Sequence, residues 1–331
     1  SLHQVVQLVV VACDDALGKD HQRPACVRRQ LHRRLQCLAV GTPITALLDT
    51  SQTRNLIRAL PALPRALTGK GAGYFFKGLR MKSALRRAGV PIHRGVTDIA
   101  ITGTDRVEAI HFSAAGKNHT LPATLVALHE GVIPGQNVTR LLECAHSWDL
   151  RQTAFQPVTD PWGASSLPGL MVAGDAGGIV GARAAEHQGR VAALETLHRL
   201  GRINTEERDR LADHDQTLLH AHLTIRPFLD RLYPPPMAIS VPQGCVVVCR
   251  CEDVLASEIH DEARKGKGPN QIKTTLRCGM GPCQGRLCGP TVSQIVMSIR
   301  GSLPQPEDYY SIRPPLKPVA VGELARLANP G

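Results

Sequence analysis

The sequence predicts an α/β fold of nucleotide-binding architecture with a small antiparallel layer, followed by a short carboxyl-terminal domain organised around thiols. Three observations predict it. Short buried-strand runs alternate with helical stretches from Ala39 onward, a glycine-rich segment separates an apolar run from a small-residue helix, and six of the ten cysteines fall within residues 245–288. The 331 residues have room for two or three domains, and 43% apolar with 20% charged content is that of a folded chain. No stretch approaches the roughly 18 consecutive apolar residues of a membrane-spanning helix. The longest early run, residues 5–13, is interrupted by Gln7. A net charge of +11 is spread along the chain and aromatics make up only 3%, which argues against nucleic-acid binding and for an anionic ligand or acidic partner.

Residues 1–38 resist placement. Val10-Val11-Ala12-Cys13 has the outline of a lipoprotein cleavage box without a basic region before it, and Arg28, Arg29, Arg33 and Arg34 surround apolar pieces that keep neither period. Residues 44–48 then read as a buried strand ending at Asp49, and residues 54–67 as a proline-punctuated helix. Residues 79–88 read as a basic amphipathic helix closed by Gly89, before a strand opened by Val90-Pro91-Ile92. Residues 107–112 and 121–128 look like hairpin strands joined at 114–117.

Residues 170–173 read as a buried strand leading through Gly174, Asp175 and a loop ending at Gly181 into a helix from about Ala182 to Leu200, closed by Gly201. Strand, glycine loop and helix together suit a flavin or dinucleotide. An acid at the strand end accepts bonds from sugar-like hydroxyls, and helix-start amides favour negative charge. A glycine turn serving only packing is the alternative. Residues 206–223 are helical, and Pro234-Pro235-Pro236 forms a stiff separator. The roughly sixty residues from Val241 are few enough that a metal or cluster is expected to support their fold.

Cys249 and Cys251 share one side of a turn after an apolar strand-like run, and thirty-one residues separate Cys251 from Cys283, with Cys288 following. Four thiolates suit Zn²⁺ or an iron–sulfur cluster. The Cys-x-Cys spacing is less typical of zinc knuckles, which favours the cluster. Cysteines packed or reactive without metal are the remaining alternative. Thr291 and Gln294 have the form of a capping box for a helix that runs to Arg300 and stops at Gly301, which places Cys288 just before positive helix-end amides. Those amides with Arg250, Arg277 and Arg286 would favour a reduced, more anionic centre. His129, Glu130 and Asp49 sit at predicted strand ends, where ligand contact competes with an ordinary solvated or structural role. No Cys-x₂-Cys occurs, so disulfide reduction is not expected.

The segment Cys249-Arg250-Cys251-Glu252, with Arg277-Cys278-Gly279-Met280-Gly281-Pro282-Cys283-Gln284-Gly285-Arg286-Leu287-Cys288-Gly289, closely resembles the [2Fe-2S] domain related to bacterioferritin-associated ferredoxin. That domain ends the alpha-type subunits of opine oxidases, hydrogen cyanide synthase and hydroxyproline-type amino-acid dehydrogenases. Leu47-Leu48-Asp49-Thr50, the stretch from Leu128 through His129 and Glu130 to Pro134, and Val172-Ala173-Gly174-Asp175 resemble the flavoprotein part of those subunits, so the likeness spans about residues 39–301. It implies an α/β, incomplete two-dinucleotide-binding-domain (pyridine nucleotide-disulfide oxidoreductase-like) flavoprotein fold followed by a small mainly α [2Fe-2S] domain. The implied organisation is an unplaced or aberrant start over 1–38, a partial FAD/NAD(P)-binding region over 39–202 and a helical linker over 203–240. The cluster domain then covers 241–301 and a tail 302–331.

The resemblance implies Cys249, Cys251, Cys283 and Cys288 as cluster ligands, because the position of Cys278 is typically not cysteine in the similar tail of anaerobic glycerol-3-phosphate dehydrogenases. It also implies that Gly174 and Asp175 hold a flavin's ribityl chain and that the helix start at Gly181, Ala182 and Arg183 faces the flavin's N1/C2 edge. Substrate oxidation is expected on a flavin-containing beta-type partner subunit, so no catalytic residue is assigned here. This chain is expected to relay electrons to an acceptor protein or quinone within a hetero-oligomer, in the cytoplasm or at the inner membrane face. A non-catalytic cluster-binding module is the alternative. Two departures stand out. No Gly-x-Gly-x-x-Gly loop follows a strand, Gly69-Lys70-Gly71-Ala72-Gly73 included, which predicts an amino-terminal truncation and weakens the case for FAD in this chain, with NAD(P) a further candidate. Leu255 replaces a helix-capping hydroxyl, at a cost of about 1 kcal/mol unless Asp253 or Ser257 substitutes.

Overall fold

The computed structural model describes the backbone of residues 8–12 and residues 44–129 and 131–327. Chain contacts divide it into two units. The first comprises Ser1–Val132, Val180–His187 and Asp213–Pro235, and the second comprises Ile133–Ile179, Gln188–Ala212 and Pro236–Gly331.

In the first unit, β1 (Leu8–Ala12), β2 (Ala46–Asp49), β3 (Ile92–Arg94) and β7 (Leu125–Ala127) form one sheet in the order β3-β2-β1-β7. β2 and β3 are parallel, whereas β1 runs antiparallel to both its neighbours. All four residues of β2 are buried, and Ala46, Leu47 and Leu48 make the apolar run expected of a strand covered on both faces, with Asp49 at its end. β1 corrects the sequence reading in part: Val10, Val11 and Ala12 of the apparent cleavage box lie in a strand paired on both sides. Cys13, Cys26, Cys37 and the four early arginines lie outside the described residues.

The proline-punctuated helix is a succession of short pieces, α1 (Thr53–Ala59), a 3₁₀ turn (Leu60–Ala62) and α2 (Leu63–Ala66). Pro61 and Pro64 each occupy an opening position, where the missing amide costs nothing and a new helix can start. These pieces bury Ala59, Ala62 and Ala66 against Ile225 and Phe228, so this part of the segment expected as a linker supplies core residues. α3 (Gly71–Arg87) begins eight residues before the predicted Leu79. A side chain at Gly71 would overlap the carbonyl of Ala66, so this glycine serves close packing at a helix entry and not phosphate binding.

β4 (Thr97–Thr102), β5 (Ala109–Ala114) and β6 (Lys117–Pro122) make an antiparallel meander in which Ile110, Phe112 and Ala114 point alternately into the core. Ala115 and Gly116 are both left-handed (φ 49° and 74°), as a two-residue hairpin turn requires. The predicted strand over 121–128 is two strands. Pro122 closes β6, and β7 joins the other sheet.

Asp49 at the end of β2 is buried, accepts the Ser51 backbone N–H at 3.0 Å and lies 3.7 Å from Lys82 Nζ on α3. It is an internal ion-pair partner. Loss of solvation lowers the Lys82 pKa and the Asp49 charge opposes that shift. Asp49→Asn therefore leaves a partly buried ammonium unpaired and is expected to cost about 3 kcal/mol in urea unfolding, while Asp49→Asn with Lys82→Met recovers most of the loss.

The second unit opens with α4 (Asn137–Leu141) and the hairpin β8 (His146–Asp149)–β9 (Ala154–Pro157). Residues 170–173 are not the predicted buried strand. Met171 forms an isolated bridge with Ala164, and the Val172 N–H donates to the Gly163 carbonyl at 2.7 Å. Gly169 and Gly174, both at positive φ, bend the chain on either side and leave too short a run for a ladder. A 3₁₀ turn (Gly174–Ala176) precedes α5 (Ala182–Arg199), and Gly201 in the left-handed region follows α5 as predicted. α6 (Thr205–Leu223) crosses into the first unit, which also holds α7 (Arg226–Leu232), and α8 (Met237–Ser240) returns to the second. Next come β10 (Val247–Cys249), β11 (Val254–Leu255), α9 (Ala256–Arg264), α10 (Pro269–Leu276), α11 (Gly289–Arg300) and α12 (Val321–Leu327). Among the described residues no helix is long and apolar enough to cross a membrane.

Within this unit the buried Glu195 carboxylate accepts from Arg199 Nε and Arg208 Nη1, each at 2.7 Å, and the Arg208 guanidinium lies 3.9 Å from the Trp162 ring centre. Burial pushes the Glu195 carboxyl up, but the hydrogen bonds from Arg199 and Arg208 outweigh it and hold it below the ordinary carboxylate range. A depressed folded-state pKa stabilises above the unfolded value and loses its effect as pH falls through the folded one. The urea midpoint is expected to fall as the pH drops below the ordinary carboxylate value of 4.5 in the native chain, and less steeply in Glu195→Gln.

Candidate metal centre

Strand β10 delivers Cys249 at its last residue, and the next turn carries Arg250 and Cys251 to β11. A register irregularity between Val247 and Cys249 and the left-handed Asp253 (φ 50°) tighten that turn. No side chain caps α9 at Leu255, so neither Asp253 nor Ser257 substitutes for the missing hydroxyl. The Glu258 carboxylate accepts the Leu255 N–H at 2.7 Å, which preserves the other half of the capping arrangement. Helices α9 and α10 then return the chain through the left-handed Arg277 (φ 60°), whose Nε donates to Glu252 at 3.0 Å. The loop that follows carries Cys278, Cys283 and Cys288. α11 begins at Gly289 with Cys288 as its N-cap residue, two residues before the predicted Thr291, because Pro290 already occupies an opening position.

The fold brings five thiols together. Cys249, Cys278 and Cys288 are fully buried, and their sulfurs all lie within 4.8 Å of one another. Cys251 and Cys283 lie close enough to influence each other's ionisation, and Cys249 acts on Cys251 as well. Of the predicted ligand set, Cys249 and Cys288 stand in the buried group together with Cys278, while Cys251 and Cys283 neighbour each other outside it. Cys251 is exposed, Cys283 is partly buried, and Cys245 is exposed and outside the group.

The electrostatics differ across the group. Burial raises the Cys283 thiol, but backbone N–H groups of Leu287, Gly285 and Arg286 and the Cys251 thiol favour its anion and bring it below the usual thiol value. A backbone hydrogen bond at Cys283 lowers Cys251, while the neighbouring thiols of Cys283 and Cys249 push it up overall. The hydrogen bond with Cys278 and burial carry Cys288 far above the usual value. Crowded thiolates of this kind ionise together only with a cation among them. All donors are soft sulfur and the helix-start amides of α11 face the same end, so the set fits a zinc ion or an iron–sulfur centre.

Close backbone approach holds the loop in place. A Cβ on Gly281 would overlap the Cβ of Cys251, and Cβ atoms on Gly279 and Gly285 would lie 2.6 and 2.7 Å from ring carbons of Tyr310. The Asn137 side-chain amide donates to the Gln284 carbonyl at 3.1 Å, which anchors the loop to α4. Tyr310 is fully buried, and its hydroxyl lies 3.3 Å from Cys278 Sγ and 3.8 Å from Cys288 Sγ. The sequence pattern alone leaves Tyr309 and Tyr310 in the tail. Two of the chain's four tyrosines stand side by side there after a proline-rich stretch, and that is the available signal.

Over most of its length the chain is similar to the A-type subunit of opine oxidase. It is 44% identical to that of Rhizobium meliloti (strain 1021) over 296 residues, covering 89% of this chain and 64% of the relative. It is 37% identical to that of Agrobacterium tumefaciens (strain Ach5) over 297 residues, covering 89% and 58%. The hydrogen cyanide synthase subunit HcnB of Pseudomonas protegens is 28% identical over 261 residues, covering 74% of this chain and 54% of the relative. The crystal structure of L-proline dehydrogenase from P. horikoshii shares the fold with a TM-score of 0.56 at 23% identity, covering 76% of this chain and 48% of that one. No protein-family profile matches. The chain thus spans between half and two thirds of the length of these curated relatives.

The predicted flavin residues fall in different units: Gly174 and Asp175 in the second, Gly181, Ala182 and Arg183 in the first. The Gly174 N–H donates to Gln188 Oε1 at 2.9 Å, and exposed Arg183 pairs with Glu186 at 3.3 Å. Among the described residues no glycine loop joins a strand to a helix in the manner of a pyrophosphate cradle, so they do not fit the whole of FAD or NAD(P). His129 is partly exposed and accepts the Gly131 N–H at 3.3 Å, and Glu130 lies outside the described residues.

Gly281→Ala is expected to lower the unfolding free energy of the second unit by about 1–3 kcal/mol through overpacking against Cys251. Gly78→Ala on α3, where a Cβ meets nothing within 4 Å, is expected to be neutral or stabilising by about 0.4–1 kcal/mol in the same denaturation series.

Proposed function

We propose that this chain is the electron-relay subunit of a flavin- and [2Fe-2S]-dependent amine or amino-acid dehydrogenase or oxidase, working beside a flavin-containing subunit that oxidises the substrate. The observation that carries this reading is the buried group of Cys249, Cys278 and Cys288 before α11, with Cys251 and Cys283 as mutual neighbours beside it. The similarity to the A-type subunits of opine oxidases supports the reaction class. Cys249, Cys251, Cys283 and Cys288 hold the centre, which when bound accepts and releases one electron at a time and so drains a two-electron donor in single steps.

The chain's own residues set the conditions. The amides of Gly285, Arg286 and Leu287 compensate the Cys283 thiolate, and the helix-start amides of α11 do the same for Cys288. Tyr309, Tyr310, Val292 and Ile295 seal the Cys249–Cys288 side from water, while Cys251 leaves an exposed edge for electron exchange with a protein partner or quinone. The described residues of this chain do not fit a flavin's pyrophosphate.

Anaerobically isolated protein is expected to carry about two irons and two acid-labile sulfides per chain and to bleach reversibly with dithionite. Cys251→Ser and Cys283→Ser are expected to lose both. One zinc per chain without sulfide would overturn the reading in favour of a structural site on Cys249, Cys278 and Cys288. A cluster that dithionite cannot reduce would leave a non-catalytic module.

A further inference from the structure

Tyr310 is the one side chain outside the cysteines, among the described residues, whose polar atom reaches the buried sulfurs. We propose that its hydroxyl is a tuning donor for the metal centre: by hydrogen bonding to the sulfurs of Cys278 and Cys288, Tyr310 raises the reduction potential of a [2Fe-2S] cluster bound there. The proposal rests on the reading of the chain as a cluster-bearing relay.

The geometry carries it. The hydroxyl oxygen lies 3.3 Å from Cys278 Sγ and 3.8 Å from Cys288 Sγ, within reach of a single O–H shared between two large, diffuse acceptors. Cys278 Sγ lies within 4.8 Å of Cys288 Sγ, so the phenol meets that ligand both directly and beside a neighbouring thiol. The ring cannot swing away. Gly279 and Gly285 lie against its ring carbons, the Tyr309 ring lies 5.8 Å from it and Lys273 Nζ 5.6 Å, and the side chain is 1% exposed. Water therefore does not compete for the sulfurs at this end. A phenol ionises near pH 10 in water and is a donor at neutral pH, whereas a ligating thiolate can only accept.

The sign follows from charge. Reduction adds one electron, from dithionite in the test or a reduced flavin in the assembly, and increases the negative charge shared by iron and sulfur. No covalent bond forms or breaks, and the phenolic proton stays on oxygen. A donor to the thiolate gains strength as that charge grows, so it favours the reduced form. Tyr310 acts through Cys288 and Cys278 and is a positioning residue, not a catalytic one.

Tyr310→Phe keeps the ring that fills the space over Gly279 and Gly285 and removes only the donor. Mediated redox titration of the full chain, followed in the visible spectrum, is expected to give unchanged iron and sulfide content. The reduction equilibrium is expected to move about tenfold toward the oxidised form, which for one electron is about 59 mV more negative. Replacing Tyr310 by 3-fluorotyrosine, a stronger donor of almost the same size, is expected to move the midpoint the other way. That comparison decides the matter if the phenylalanine variant fails to retain iron. Midpoints that coincide in fully loaded proteins overturn the role of Tyr310 alone, whereas a native chain without iron and sulfide overturns the relay reading and this inference together.

Discussion

Thiols repel one another once ionised, and a protein that confines five of them must fix their backbones closely enough that they cannot drift apart. Here that constraint is met by glycine. The loop from Arg277 to Cys288 lies so close to the Cys249–Cys251 turn that Gly281 has no room for a side chain, and Gly279 and Gly285 leave space for one aromatic ring, that of Tyr310. Helices α9, α10 and α11 bury Ile259, Ile272, Val292 and Ile295 in the same core as Cys249, Cys278 and Cys288. The packing that stabilises this core and the packing that positions the sulfurs are therefore one arrangement.

The thiol chemistry is asymmetric. Cys283 accepts several backbone amides, as a partly buried anionic ligand needs, while Cys288 is fully buried beside the thiols of Cys249 and Cys278 and the phenol of Tyr310. One edge of the group is open at Cys251 and the opposite edge is closed by Tyr309 and Tyr310. An electron carrier benefits from such a division, because the open edge governs exchange with a partner and the closed edge governs the potential.

Much of this is legible in the sequence, and the losses have physical causes. Cysteine spacing locates the two pairs because intervening helices of ordinary length return the chain to its starting point. Gly201 and Gly301 mark helix ends through their left-handed backbones. β1 escapes because a strand held on both sides by backbone pairing needs no period of its own. Residues 170–173 mislead because a short apolar run between glycines looks like a buried strand, whereas the ladder partner that makes one lies outside the local sequence. α11 begins earlier than its capping box suggests, since Pro290 opens a helix as readily as a hydroxyl caps one. Tyr310 is invisible for the same reason as β1: its partner glycines are more than twenty residues away, and only the fold brings them together.

Where the irons sit decides between an electron carrier and a structural site. An anomalous difference map from crystals of the loaded chain, collected at the iron edge, is predicted to show two adjacent peaks enclosed by Cys249, Cys251, Cys283 and Cys288, with Cys278 in contact but not coordinating. A single peak on Cys249, Cys278 and Cys288, or no anomalous density among these sulfurs, would contradict it.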